Sequence, residues 1–355
     1  MSTKYVTERV IFRVPLHSNG DEKTSMSRQQ KPAMDARLAT RVQQKKAALD
    51  RYRPLPAGTV TRLNEDLKVM LTHHSTAIEG NTLTLNETAM VIEYGMTVGG
   101  HSLREYKETE NHARAYDYVV SLVAGKREPI TQETILTLHQ LVMSGILDEA
   151  QTGVWRTVPV YIRGSNMTPP LARDIPRLMR EWEKWINGRQ GQLYDPVTRA
   201  AIAHHGFEAV HPFPDGNGRV GRLLLNLMLM QEGYPPALVL KDWRVRYIHA
   251  LDTGNTGNYG PLANLIGQAV EASLDLYLEA CATVPATEEE DYLPLPQLAR
   301  EFGYAPEALS WAARYGRLEA RKRDRHWYAT RAAVAKYQRR AEEYLRQHRR
   351  SQEGN

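Results

Sequence analysis

His211-Pro212-Phe213-Pro214-Asp215-Gly216-Asn217-Gly218-Arg219-Val220-Gly221-Arg222 lies between two helical patterns, Val197 to Val210 and Arg219 to Glu232. Pro212 cannot continue a helix, so the first pattern ends there and His211 sits at its C-terminus, ring toward whatever the loop holds. Gly216, Asn217 and Gly218 let the backbone turn tightly with its amides exposed, and the next helix is expected to begin around Arg219. Backbone N–H groups at a helix start, reinforced by the helix dipole, form an anion site. Arg219 and Arg222 are three apart and share a face of the first turn, which puts two positive charges beside that anion. Asp215 is an oxygen ligand suited to a Mg2+ ion that also bridges phosphates. Taken singly, a Gly-Asn-Gly is a common turn and two arginines opening a helix are commonly solvated. Within twelve consecutive residues, these groups read as a phosphoryl or nucleotidyl transfer site with His211 as the base.

These residues resemble the Fic motif, His-Pro-Phe-x-Asp-Gly-Asn-Gly-Arg-x-x-Arg, at every fixed position, and the likeness runs from about Leu63 to Leu278. The resemblance implies a mainly α fold: a Fic-type helical bundle with a short β-hairpin flap. It also implies an enzyme that transfers AMP from ATP to a Ser, Thr or Tyr hydroxyl of a target protein. Carried over, His211 deprotonates the hydroxyl and Asp215 holds Mg2+, with Mn2+ the alternative. Gly216, Asn217 and Gly218 cradle phosphates, Arg219 lies beside them, and Arg222 orients the γ-phosphate.

Upstream, Ser75-Thr76-Ala77-Ile78-Glu79-Gly80-Asn81 resembles the inhibitory motif of one class of this family. Its physics is coherent: a Glu79 carboxylate paired with Arg222 occupies the cation that the γ-phosphate needs. Ser75, Glu79 and Gly80 are therefore the expected inhibitory residues. Removal of AMP at the same site, with Glu79 positioning water, is the related alternative.

Between Val154 and Pro170 the pattern changes from helical to alternating. Val158, Val160 and Ile162 are followed by Arg163-Gly164-Ser165-Asn166, a hairpin signal. In the family this is where the flap lies, which makes Val160, Tyr161 and Ile162 candidates for docking the target by strand addition. The family also places an aromatic residue and an asparagine against the nucleoside, at positions matched by Tyr247 and Asn255. His204 and His205 read as packing residues.

Further helical windows run over Val60–Ile78, Leu85–Gly95, Leu103–Val123, Thr131–Ser144, Ile175–Ile186, Arg244–Asp252 and Gly260–Ala282. From Ala33 to Tyr52, sparse apolar residues among Lys and Arg read as a solvated helix. The expected divisions are a flexible arm over 1–32, an N-terminal helical region over 33–125, the catalytic core over 126–283, an acidic linker over 284–292 and a separate module over 293–355.

That module holds the basic character of the chain. It carries 14 Lys/Arg against 7 Asp/Glu, while the remainder carries 32 against 34. Two short helices followed by Arg321-Lys322-Arg323-Asp324-Arg325-His326-Trp327-Tyr328, a basic hairpin, resemble a winged helix-turn-helix module, so DNA is one expected partner. A DNA-binding regulator with the Fic core as nucleotide sensor is the alternative from a different class.

Composition excludes other classes. At 42% hydrophobic and 25% charged, 355 residues are neither disordered nor collagen-like. The single cysteine, Cys281, excludes an internal disulfide and a multi-cysteine zinc site. No uncharged apolar run reaches the ~18 residues of a membrane span. The expected location is cytoplasmic with no membrane partner, and the family resemblance implies a homodimer.

Overall fold

The computed structural model describes residues 34–53, 55, 57–97, 99–125, 127–162, 167–283, 292–314, 318–323 and 326–339. The expected N-terminal arm, residues 284–291 of the expected linker over 284–292, and the residues beyond 339 lie outside them. The chain divides into two compact units, Met1–Ala282 and Thr283–Asn355.

The first unit is helical. Its helices are α1 (Ala36–Asp50), α2 (Ala57–Ile78), α3 (Leu85–Tyr94), α4 (Leu103–Ala124), α5 (Gln132–Met143), α6 (Ile175–Asn187), α7 (Pro196–Val210), α8 (Asn217–Gln231), α9 (Arg244–Gly254) and α10 (Gly260–Thr283). Their ends follow local chemistry. Asp35 and Asp195 cap α1 and α7 by accepting two N–H groups each. Thr84 with Glu87, and Ser102 with Glu105, form reciprocal capping boxes at α3 and α4.

Helices α7 and α8 are buried along nearly their whole length. Small residues permit this, because Ala200, Ala201, Ala203 and Gly206 keep α7 thin where its neighbours press on it. Trp182 of α6 is buried against it and donates its indole N–H to Ala203 O at 2.7 Å. Each fully buried Leu or Phe in such a pair stabilises by about 1.5–3 kcal/mol relative to exposure. The loop joining the two helices is thereby held between two deeply buried helices.

Three expectations are corrected. The α1 stripe is not solvated: Leu38, Val42 and Leu49 are 4%, 1% and 1% exposed, because their spacing aligns them on one face that joins the core. Beside that stripe, Arg41 and Lys45 pair with α10 through Arg41–Glu271 and Lys45–Asp275. Helix α8 begins at Asn217, two residues before Arg219, since Gly216 at φ 81° already makes the turn into it. The expected hairpin is not formed by the described residues of its arms, 154–162 and 167–170. Pro159, Pro169 and Pro170 have no N–H to give a ladder, and the tip over 163–166 lies outside the described residues.

The second unit contains β1 (Leu293–Pro294), α11 (Leu295–Phe302), α12 (Pro306–Arg314), β2 (Arg321–Arg323) and β3 (His326–Ala329), with a helix over 331–339. The sheet order is β1-β3-β2, antiparallel throughout, with Lys322 opposite Trp327 and Leu293 opposite Ala329. Its own small core gathers Leu295, Leu298, Leu309, Leu318 and Val334.

Candidate active site

His211 is the C-cap of α7 and, among the described residues, the non-glycine with positive φ, at 49°. The left-handed turn carries the chain out of the helix. Its Nδ1 lies 3.2 Å from Glu208 O; a carbonyl only accepts, so Nδ1 carries the proton and Nε2 keeps its lone pair. Burial pushes the imidazole down to about 4, helped by the Arg156 charge and opposed by Glu79 and Asp215. The base is therefore neutral at pH 7.

The loop is closed by its own asparagine. Asn217 accepts the Phe213 N–H at 2.9 Å and donates to Phe213 O at 2.8 Å, so its side chain shapes the loop. His139 of α5 stacks on Phe213 with ring centroids 3.7 Å apart. It accepts the Gly153 N–H at 2.9 Å and donates from Nε2 to Asp215 O at 3.1 Å. Gly216, the N-cap of α8, offers no side-chain cap, which leaves the amides of Asn217, Gly218 and Arg219 at an anion-attracting end.

That end already meets an anion. A Cβ placed on Gly218 would lie 2.2 Å from Glu79 Oε1. The same oxygen accepts from Arg222 Nη2 at 2.7 Å. Ser75 completes the contact, its Oγ accepting from Arg222 Nε at 3.0 Å and its carbonyl from Nη2 at 2.7 Å. The turn that presents Glu79 depends on Gly80, at φ 109°. Burial works against the Arg222 charge, but Glu79, together with Tyr247 and Glu208, overcomes it and holds the guanidinium above its ordinary pKa.

Arg219 is 2% exposed and enclosed by two carboxylates, Asp215 at 3.0 Å and Glu108 at 3.1 Å. Arg104 of α4 closes the ring, 2.5 Å from Asp215 and 3.0 Å from Glu108. Burial raises the Asp215 pKa, yet Arg219, the Gly216 N–H and Arg104 overcome it and keep the group ionised. Among the described residues no cluster of three or more His, Cys, Asp or Glu is placed to hold a metal. The single carboxylate of Asp215, 37% exposed, still fits Mg2+, which is commonly held by one or two carboxylates with water and phosphates supplying the rest.

A pocket between the flap segment, the C-terminal half of α7 and α9 is lined by Ile162, Met167, His205, Glu208, Asp252 and Asn255, among others. Asn255 is aligned by His205, whose Nε2 lies 3.0 Å from its Oδ1. Tyr247 does not line this pocket. It is 3% exposed, hydrogen-bonded to His204 at 2.6 Å, and lies below Arg222, whose guanidinium is 6.0 Å from its ring centre. In the flap segment Ile162 lines the pocket, Val160 is partly buried, and Tyr161 is 91% exposed.

Sequence reasoning missed Arg104, Glu108, His139, Arg156 and Glu208. Four of them lie far from the motif in the chain, and nothing in their local pattern separates them from helix-surface or loop residues. Glu208 carried a faint signal, a charged residue in an otherwise uncharged stretch from Ala200 to His211. Burial pushes its carboxyl up to about 8; Arg222 opposes this and Glu79 adds to it.

A family model described as the Fic/DOC family matches residues 129–229. Protein adenylyltransferase Fic of Culex quinquefasciatus is 36% identical over 268 residues, 76% of this chain and 51% of that protein. Its namesake in Aedes aegypti is 34% identical over 287 residues, 81% of this chain and 55% of the relative. The chain thus spans about half the length of the curated relatives it matches. Among solved structures, residues 134–508 of Fic-1 from C. elegans match at a TM-score of 0.62 and 31% identity, covering 70% of this chain and 74% of that one. A Fic-domain-containing signalling protein of Bacteroides thetaiotaomicron matches at a TM-score of 0.63 and 25% identity, covering 68% and 98%.

Proposed function

The chain belongs to the Fic/DOC family, and from that premise we propose that it transfers AMP from ATP to a hydroxyl side chain of a target protein and restrains itself through Glu79. The observation that carries this reading is the Glu79 carboxylate on the first turn of α8, paired with Arg222 at 2.7 Å. One carboxylate there occupies both the helix-terminal anion site and the arginine that a γ-phosphate requires.

In the forward reaction the target oxygen attacks the α-phosphorus. A new P–O bond forms, the bond to the β-phosphate oxygen breaks, and pyrophosphate leaves. His211 Nε2 takes the hydroxyl proton, its tautomer set by the Glu208 carbonyl. The α8 amides face the phosphates, Arg222 receives the γ-phosphate once Glu79 withdraws, and Asn255 supplies polar contacts in the adjoining pocket. Asp215 would hold Mg2+, which when bound neutralises phosphate charge.

Incubating the Glu79→Gly protein with labelled ATP and a cell lysate tests the reading. Labelled protein bands, absent in Glu79→Gly/His211→Ala, are expected. If Glu79→Gly binds ATP yet labels nothing, itself included, the assignment fails.

A further inference from the structure

Arg156 is 4% exposed and lies in the first arm of the flap segment. Its backbone N–H donates to Pro212 O at 2.9 Å. Its guanidinium donates to three more carbonyls: His211 O from Nε at 2.8 Å, Val158 O from Nη1 at 2.9 Å and Pro170 O from Nη2 at 2.7 Å. No carboxylate among the described residues pairs with it, and burial lowers its pKa. A buried cation without a counter-ion is costly, and stability alone would be served as well by an apolar side chain. What an apolar side chain cannot do is join three carbonyls that diverge around a planar fork of donors.

The three carbonyls belong to the parts that must meet during transfer. Val158 and Pro170 are on the two arms of the flap segment, and His211 is the base. The left-handed conformation of His211 costs about 1–2 kcal/mol for a residue with a side chain, so the turn persists only where surrounding contacts hold it. We propose that Arg156 is a positioning residue that locks the backbone of His211 to both arms of the target-docking segment, so that a docked hydroxyl arrives in register with Nε2. This rests on the proposed transfer reaction.

The test places Arg156→Gln and Arg156→Lys in the full-length Glu79→Gly chain. Three readouts are compared with the Glu79→Gly parent: self-labelling from labelled ATP, ATP affinity with Mg2+ by calorimetry, and amide hydrogen exchange. Self-labelling by Arg156→Gln is expected to fall about a hundredfold, the scale of a misplacement near 1 Å. ATP affinity should stay within about threefold, since none of the four contacts lies on α8. Arg156→Lys should recover part of the labelling, because one ammonium reaches fewer of the carbonyls. Exchange should rise together in peptides covering 154–162 and 207–214, with α2 and α10 unchanged.

Labelling by Arg156→Gln close to that of the parent overturns the proposal. So does a uniform rise in exchange across all helices, which marks a purely structural role. Should Arg156→Gln not fold, Arg156→Lys carries the same comparison. If the parent labels nothing, it is the transfer reading that fails, and paired exchange at the two segments still decides whether Arg156 couples them.

Discussion

Glu79, at the end of α2, and Arg222, in α8, are 143 residues apart in the chain and 2.7 Å apart in the fold. The pair is asymmetric: the arginine is 5% exposed and the carboxylate 36%. Glu79 can therefore swing toward solvent, whereas Arg222 cannot leave. Removing Glu79 exposes a buried cation that a phosphate can then satisfy. Glu79→Gly is expected to raise labelling from ATP at least tenfold, a change of about 1.4 kcal/mol in the barrier. Labelling equal to wild type would show that the pair does not restrain the reaction.

His211→Ala in the Glu79→Gly background should abolish labelling while leaving ATP bound. The histidine is depressed to about 4, so its neutral, base-competent form persists well below pH 6.5. In a pH–rate profile the acid limb assigned to this base should fall near pH 4. A limb near 6.5 would mean that the imidazole is hydrated and freely titrating.

Arg104 sits on the carboxylate that would hold the metal, yet its side chain is 53% exposed. Arg104→Ala frees Asp215 Oδ2 and should lower the Mg2+ concentration at half-maximal labelling. Mn2+ binding to the nucleotide complex, followed by electron paramagnetic resonance, should tighten in parallel. Unchanged Mn2+ affinity would show that Arg104 and the ion do not compete.

Acid stability follows from buried imidazoles. His112 and His204 are held down to about 3, and His139 and His211 to about 4, in each case first by burial. Their folded pKa values lie below the unfolded value, so the unfolded chain binds more protons between roughly pH 3 and 6.5. Their contribution is complete above pH 6.5 and is lost as pH falls through that window. Glu208 acts in the opposite sense: raised to about 8, it contributes at low pH and loses that contribution as pH rises from about 4.5 to 8. Glu208→Gln should flatten the alkaline decline and leave the acid one, measured as melting temperature against pH.

At Gly221 the backbone of α8 packs directly on side chains of α7. A Cβ there would lie 2.2 Å from Glu208 Oε1 and 3.1 Å from both His204 and Phe207. Gly221→Ala is expected to destabilise by about 1–3 kcal/mol, read from denaturant unfolding. A more stable variant would mean that the helix pair can separate without cost.

Most of the helical frame was legible because its signals are local. Capping boxes at Thr84 and Ser102, prolines at the entries of α6 and α7, and apolar spacing depend on residues at most a few positions apart. The same locality exposed the motif from His211 to Arg222. It also produced the errors. A three-residue stripe on α1 looked too thin to bury, and alternation at 158–162 looked like a hairpin, because neither pattern reveals what packs or bonds against it.

By itself, the sequence determined which groups carry the chemistry: a histidine after a helix, glycines that turn the backbone, and arginines one turn into the next helix. Only the tertiary structure decided which charges are open and which are occupied. Arg219 is enclosed by Asp215 and Glu108, Arg222 is held by Ser75 and Glu79, and Arg156 gathers carbonyls from both flap arms and from His211. The physical reason is range. Backbone conformation is set by neighbours in the chain, whereas the partner of a buried charge is whichever group the packing of distant helices and loops brings within hydrogen-bonding distance.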